Sequence, residues 1–149
     1  MPNACDMKKK LNCVLLVDDN ASDNFLHKRV IEKAGITDYI GIAENGQDAL
    51  DFLTTRWQCG KPDISYCQPA LIFLDINMPV MDGWQFLEEY HKLGEDQKGK
   101  VVIIILTTSL NPDDLTKTHT ILGDDHFKYK PLTLEMVSEI MQKFFSEYL

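Results

Sequence analysis

The 149-residue sequence carries 15 Lys and Arg against 23 Asp and Glu, a formal net charge of −8, with 44% hydrophobic and 26% charged residues. That length suits one domain of roughly 100–150 residues with a core of its own, and the composition excludes disorder, collagen-like repeats and coiled coil. The acidic balance argues against nucleic acid as a partner, because phosphate backbones recruit dense Lys and Arg surfaces.

The chain opens on an expected N-terminal tail, residues 1–11, whose Lys8-Lys9-Lys10 run reads as a solvated terminus. The first ten residues hold no apolar stretch of the kind a signal peptide needs, and nowhere do 18 apolar residues run together as a membrane span requires. The expected location is therefore cytoplasmic, with no membrane partner. Residues 12–149 are expected to form the single domain. Four cysteines, Cys5, Cys13, Cys59 and Cys67, show no C-x-x-C spacing. Cys13 opens an apolar run and reads as a small buried hydrophobe, while Cys59 and Cys67 lack the nearby His partners of a zinc site.

Residues 14–17 form a short apolar run, read as a strand buried on both faces, and a helical pattern follows over 21–34. Residues 39–43 read as a shorter or edge strand, and 46–54 as a second helix. A long connection over 55–70, with Gly60, Pro62 and Pro69, precedes a second fully buried strand at 71–74. Helix 84–93, strand 101–106, helix 112–122, strand 126–129 and helix 133–147 complete the order. Gly35, Gly94 and Gly123 stand where helices stop. Strand and helix thus alternate five times, which implies a parallel sheet with helices on both faces. The expected fold is α/β, a flavodoxin-like (βα)5 doubly wound sheet of strand order 2-1-3-4-5.

In open sheets of this kind the ligand site lies beyond the carboxyl ends of the strands. Those ends carry Asp18-Asp19 after the first strand, Asp75 after the third, Thr107 after the fourth and Lys130 after the fifth. Singly, each has a structural explanation. Asp18 or Asp19 can cap the following helix, Asp75 can open a turn, Thr107 suits a strand, and Lys130 can snorkel at the surface. Together they have a sharper one. Strands one and three are neighbours in this order, so three carboxylates converge, and like charges that close need a cation. An all-oxygen set suits a hard ion, Mg²⁺ or Mn²⁺. Three aspartates, one lysine and a divalent cation sum to zero, a balance that accepts an anion such as a phosphoryl group.

Two rivals fit less well. A flavin- or nucleotide-binding module needs a turn of free N–H donors after the first strand, where this chain has Asp18-Asp19-Asn20-Ala21-Ser22-Asp23. An aspartyl phosphohydrolase places a second Asp two residues beyond the nucleophile as general acid, where this chain has Asn77.

Asp18-Asp19, the segment Leu74-Asp75-Ile76-Asn77-Met78-Pro79-Val80-Met81-Asp82-Gly83, Thr107 and Lys130-Pro131 resemble, together and in order, the signature of response-regulator receiver domains. The resemblance covers nearly the whole chain, from about residue 12 to the end. It implies a two-component signalling protein that accepts a phosphoryl group on Asp75 from a partner histidine kinase. It further implies that Asp19, Asp75 and the backbone carbonyl of Asn77 ligate Mg²⁺, with Asp18 acting through a water. Thr107 would hydrogen-bond the phosphoryl group, Lys130 would pair with one of its oxygens, and the Lys130–Pro131 bond would be cis. Phe127, three residues before the lysine, matches the aromatic that turns inward when Thr107 moves; alternatively it is a permanently buried core residue. The reporting surface would be helix four, strand five and helix five, either in a monomer or through a weak homodimer.

With the long 55–70 connection, the Leu106-Thr107-Thr108-Ser109 string is similar to standalone receivers of phytochrome-type histidine kinases. No output domain is expected after the last helix, so the signal passes to a downstream protein or along a phosphorelay. The chain would catalyse only its own phosphorylation and slow dephosphorylation. Thr108 stands where many members carry Ala, which is expected to narrow access to the site. Phe25 is expected to lie off a buried Leu26–Val30 stripe on the first helix, exposed to a kinase helix or packed on a loop. The remaining alternative is a receiver-like module that signals by contact without phosphorylation.

Overall fold

Three apolar runs set the architecture, because each has side chains that demand burial on both faces of a sheet. In the computed structural model, which describes residues 9–54, 69–78, 81–93 and 101–149, these runs are the three central strands of the sheet. The elements are β1 (Val14–Val17), α1 (Ala21–Ala34), β2 (Ile40–Ala43), α2 (Gly46–Thr54), β3 (Leu71–Leu74), α3 (Gly83–His91), β4 (Val102–Thr107), α4 (Pro112–Leu122), β5 (Phe127–Tyr129) and α5 (Leu134–Phe144), followed by a 3₁₀ turn at Ser146–Tyr148. All strand pairs are parallel, in the order β2-β1-β3-β4-β5. This is the expected flavodoxin-like sheet.

Every residue of β1 and β3 is buried, and the pleat divides them between two cores. Leu15, Val17, Ile72 and Leu74 face α2 and α3, meeting Ala49, Leu53, Phe86 and Leu87. Val14, Leu16, Leu71 and Phe73 face the other way, meeting Ile31 of α1 with Val137, Ile140 and Met141 of α5. Edge strand β2 is only partly covered, with Ile42 45% exposed.

Sequence chemistry also sets the helix ends. Asn111 caps α4 with Pro112 at its first turn, Thr133 caps α5, and Asp82 caps α3 in a reciprocal box with Gln85. Gly35 closes α1 with φ +68°, its N–H donating to the Ile31 and Glu32 carbonyls. Gly94 lies outside the described residues, as do Cys5, Cys59, Cys67 and residues 55–68 of the long connection.

Four expectations shift. Thr107 ends β4 rather than following it. Neither Asp18 nor Asp19 caps α1; Asn20 does, accepting from the Asp23 N–H at 3.0 Å, while Asp18 accepts from the Asn20 N–H at 2.9 Å. The buried stripe of α1 is Asn24, His27 and Ile31, and Leu26 is 54% exposed beside Phe25 at 59%. Leu11, placed in the tail by the sequence, is 2% exposed and pairs with Thr37. Cys13 is buried as expected, and burial pushes its thiol up to about 12. No helix among the described residues is long and apolar enough to cross a membrane.

Candidate functional site

Strand register places the site. Val17 pairs with Leu74, so the residues that follow, Asp18 and Asp75, leave adjacent strands side by side. Their backbones stay in the ladder: the Asp18 N–H donates to Ala43 and the Asp75 N–H to Val17. Asp18, Asp19 and Asp75 each offer a carboxylate oxygen, and these oxygens lie within 4.8 Å of one another. Asp18 and Asp75 are buried and Asp19 is exposed, so the cluster opens to solvent on one side.

Lys130 enters from beyond β5. Its N–H donates to the Thr107 carbonyl at 2.9 Å, and the Lys130–Pro131 bond is cis. The ammonium reaches Asp18 at 2.5 Å, Asp23 at 2.9 Å and Asp75 at 3.3 Å, with the lysine side chain only 9% exposed. The snorkelling alternative is thereby excluded, since the charged head is buried and the paired carboxylates hold it there.

Burial raises the Asp75 carboxyl above the usual range, opposed by the nearby Lys130 charge. Burial alone would lower Lys130, but its hydrogen bonds to Asp18 and Asp23, with the charge of Asp75, hold it above the ordinary lysine range. A carboxylate that burial makes costly to ionise, beside a lysine whose carboxylate partners favour its charged form, makes an anion-accepting pair.

Thr107 is fully buried at the end of β4, and its hydroxyl oxygen accepts from the Ser109 N–H at 3.1 Å. The Ser109 hydroxyl in turn donates to the Asp114 carboxylate on α4. Asn77 is exposed, its N–H 3.5 Å from Asp75 Oδ1. Phe127 is half-buried against the α2–α3 side of the core and meets Tyr129 edge-on at 5.2 Å. It is not the fully enclosed core residue of the alternative reading.

Close packing supports the loop after β3. The Gly83 N–H donates to the Ile76 carbonyl, and a Cβ at Gly83 would stand 2.7 Å from the Asp75 carbonyl oxygen. Only a glycine lets α3 start this near the Asp75 backbone.

Sequence reasoning did not find three residues of the site. Asp23 binds Lys130. Asn24 donates to the Asp18 carbonyl at 2.8 Å, leaving its own Oδ1 buried without a partner among the described residues. His27 is 3% exposed, and burial lowers its pKa against the pull of Asp23 and Asp18. The available signal was three polar residues on one face of α1, at positions 23, 24 and 27.

An all-oxygen cluster of carboxylates on a solvent-open rim suits a hard divalent cation in ligand type. Residues 14–142 match the response regulator receiver domain family. The response regulator Rcp1 of Synechocystis is 35% identical over 106 residues, covering 71% of this chain and 68% of Rcp1. Its Mn²⁺-bound crystal structure superposes with TM-score 0.66 at 27% identity, covering 92% of this chain and 96% of that one. A two-component response regulator from Cytophaga hutchinsonii gives TM-score 0.78 at 28% identity over 93% of this chain and 99% of that one. The bacteriophytochrome response regulator AtBRR gives 0.72 at 26% identity over 91% and 94%. The family match spans most of the chain and takes in the strand-end carboxylates and the buried lysine, so the chain belongs to the response-regulator receiver domains of two-component signalling.

Proposed function

We propose that this receiver is a phosphorylation switch whose acceptor is Asp75. The observation that carries the reading is the buried Lys130 ammonium shared between the strand-end carboxylates Asp18 and Asp75. A histidine kinase would supply the phosphoryl group. Asp75 attacks the phosphorus of the phosphohistidine; the new bond forms from a carboxylate oxygen, the P–N bond breaks, and the imidazole retains the electron pair and takes a proton. Lys130 pairs with a phosphoryl oxygen as charge spreads over the group. Asp18, Asp19, Asp75 and the Asn77 backbone carbonyl are the residues that would hold Mg²⁺, which when bound neutralises charge on the phosphoryl oxygens.

The product dianion needs donors, and Thr107 carries the nearest hydroxyl of β4. Drawing Thr107 inward pulls on the line through Ser109 to Asp114, and so on α4. Phe127 and the α4–β5–α5 face then repack, a two-state shift biased by the phosphoryl group. Thr108 is exposed beside Thr107 and narrows access for water; Thr108→Ala is expected to shorten the phosphate lifetime, measured by loss of the mass adduct with time.

The kinase partner is proposed to be of phytochrome type, on the strength of the bacteriophytochrome response regulator among the structural relatives. Phe25 and Leu26, exposed on α1 near the acidic rim, supply apolar contact for it, and Phe25→Ala should slow transfer from kinase to receiver. Intact mass after incubation with acetyl phosphate and Mg²⁺ tests the main reading. One phosphate adduct is expected, absent in Asp75→Asn and in metal-free buffer. No adduct together with no response to beryllofluoride would favour a receiver that signals by contact alone.

A further inference from the structure

Asp23 stands outside the three-carboxylate cluster yet holds the lysine of the site. Its Oδ2 lies 2.9 Å from Lys130 Nζ, nearer than the 3.3 Å of Asp75 Oδ2. The contact is built rather than incidental. Asn20 caps α1 through the Asp23 N–H, which fixes the backbone of the first turn, and the Asp23 side chain is 32% exposed against 6% and 9% for Asp18 and Asp75.

This fourth carboxylate changes the charge balance. Four aspartates and one lysine leave the bare site at −3, and a bound divalent cation brings it to −1 rather than to the zero expected from three aspartates. An ammonium has three N–H donors, and three carboxylates already surround this one. An incoming anion must compete with Asp23 for them.

We propose that Asp23 is a positioning residue that shifts the site toward cation and away from phosphoryl anion, holding Lys130 on the α1 side and lowering the stability of the phosphorylated state. The inference rests on the reading of Asp75 as phosphoacceptor and adds a control on it. A carboxylate near both ligands attracts one and repels the other. Its removal therefore moves the two affinities in opposite directions, which a general loosening of the fold does not do.

The test uses the full chain and four proteins: wild type, Asp23→Asn, Asp23→Glu and Glu32→Gln. Asp23→Asn keeps size and backbone cap while removing the charge. Glu32→Gln removes a charge about 13 Å along the same helix. Calorimetric titration measures Mg²⁺ affinity, then beryllofluoride affinity at saturating Mg²⁺. For Asp23→Asn the Mg²⁺ Kd is expected to rise and the beryllofluoride Kd to fall, each by about three- to tenfold, the scale of one unit charge at a few ångströms in a wet site. Asp23→Glu should restore wild-type behaviour, and Glu32→Gln should match wild type. Equal affinities in wild type and Asp23→Asn, or a shift of both in one direction, would overturn the role of Asp23 while leaving Asp75 as acceptor. Wild type binding neither ligand would instead overturn the reading of Asp75, and this inference with it.

Discussion

Helices α1 and α4 each begin just beyond a strand end of the site, and they are held by opposite means. The inward face of α1 buries Asn24, His27 and Ile31, and its first turn is tied to Asp18 and Lys130. Helix α4 buries Thr118 alone, and its apolar residues Leu115 and Ile121 are 47% and 37% exposed, with Leu110 before it 87% exposed. Apart from Leu122 at its end, which packs half-buried against the core, what fixes α4 is polar: the Asn111 cap, the Ser109–Asp114 hydrogen bond, and Lys117 lying 4.6 Å over the Trp84 ring. A helix with little buried apolar surface can be repositioned at low cost, whereas one wedged into the core cannot. Under the proposed function the pair would divide the labour of a switch, α1 fixing the chemistry and α4 reporting it.

The largest test of that contrast is Ile31→Ala. Ile31 is fully buried, so its loss should cost about 2–5 kcal/mol by urea unfolding. Gly83→Ala comes next. Its Cβ would meet the Asp75 carbonyl at 2.7 Å, and overpacking of this kind costs about 1–3 kcal/mol, here with weaker Mg²⁺ binding because the Asp75 backbone must move. Ser109→Ala removes the link to Asp114 and should cost about 1 kcal/mol, with the greater effect on how strongly beryllofluoride alters α4. Leu115→Ala should fall within about 0.5 kcal/mol of wild type. A Leu115 effect as large as that of Ile31 would erase the distinction between the helices.

The same two helices show how far the sequence could be read. Strands β1, β3 and β4 were legible because unbroken apolar runs have few other places to go, and their order brought Asp18, Asp75, Thr107 and Lys130 to one edge before any coordinates. The face of α1 was misread for a physical reason. Apolar periodicity pointed to Leu26 and Val30. Val30 does pack half-buried against the core, but Leu26 faces out. The helix buries Asn24 and His27 beside the charged site, where Asn24 donates to the Asp18 carbonyl, a contact the periodicity does not see. Asp23 was missed on similar grounds: an acid in a first helical turn is satisfied by the helix dipole alone, and only the fold reveals the lysine 107 residues away. Thr107 was placed beyond β4 because a threonine at a strand end carries no signal of whether the ladder includes it. The loose seating of α4 could not be inferred from its composition, since its leucines and isoleucine read as core.

Amide hydrogen exchange with and without beryllofluoride and Mg²⁺ puts the central claim, that occupancy at Asp75 is read out at α4, to its most direct test. Exchange is expected to change over 109–122 and 127–129, with the amides around Ile31 in α1 unaltered. Bound beryllofluoride that left α4 unchanged, or that altered α1 as much, would contradict the account.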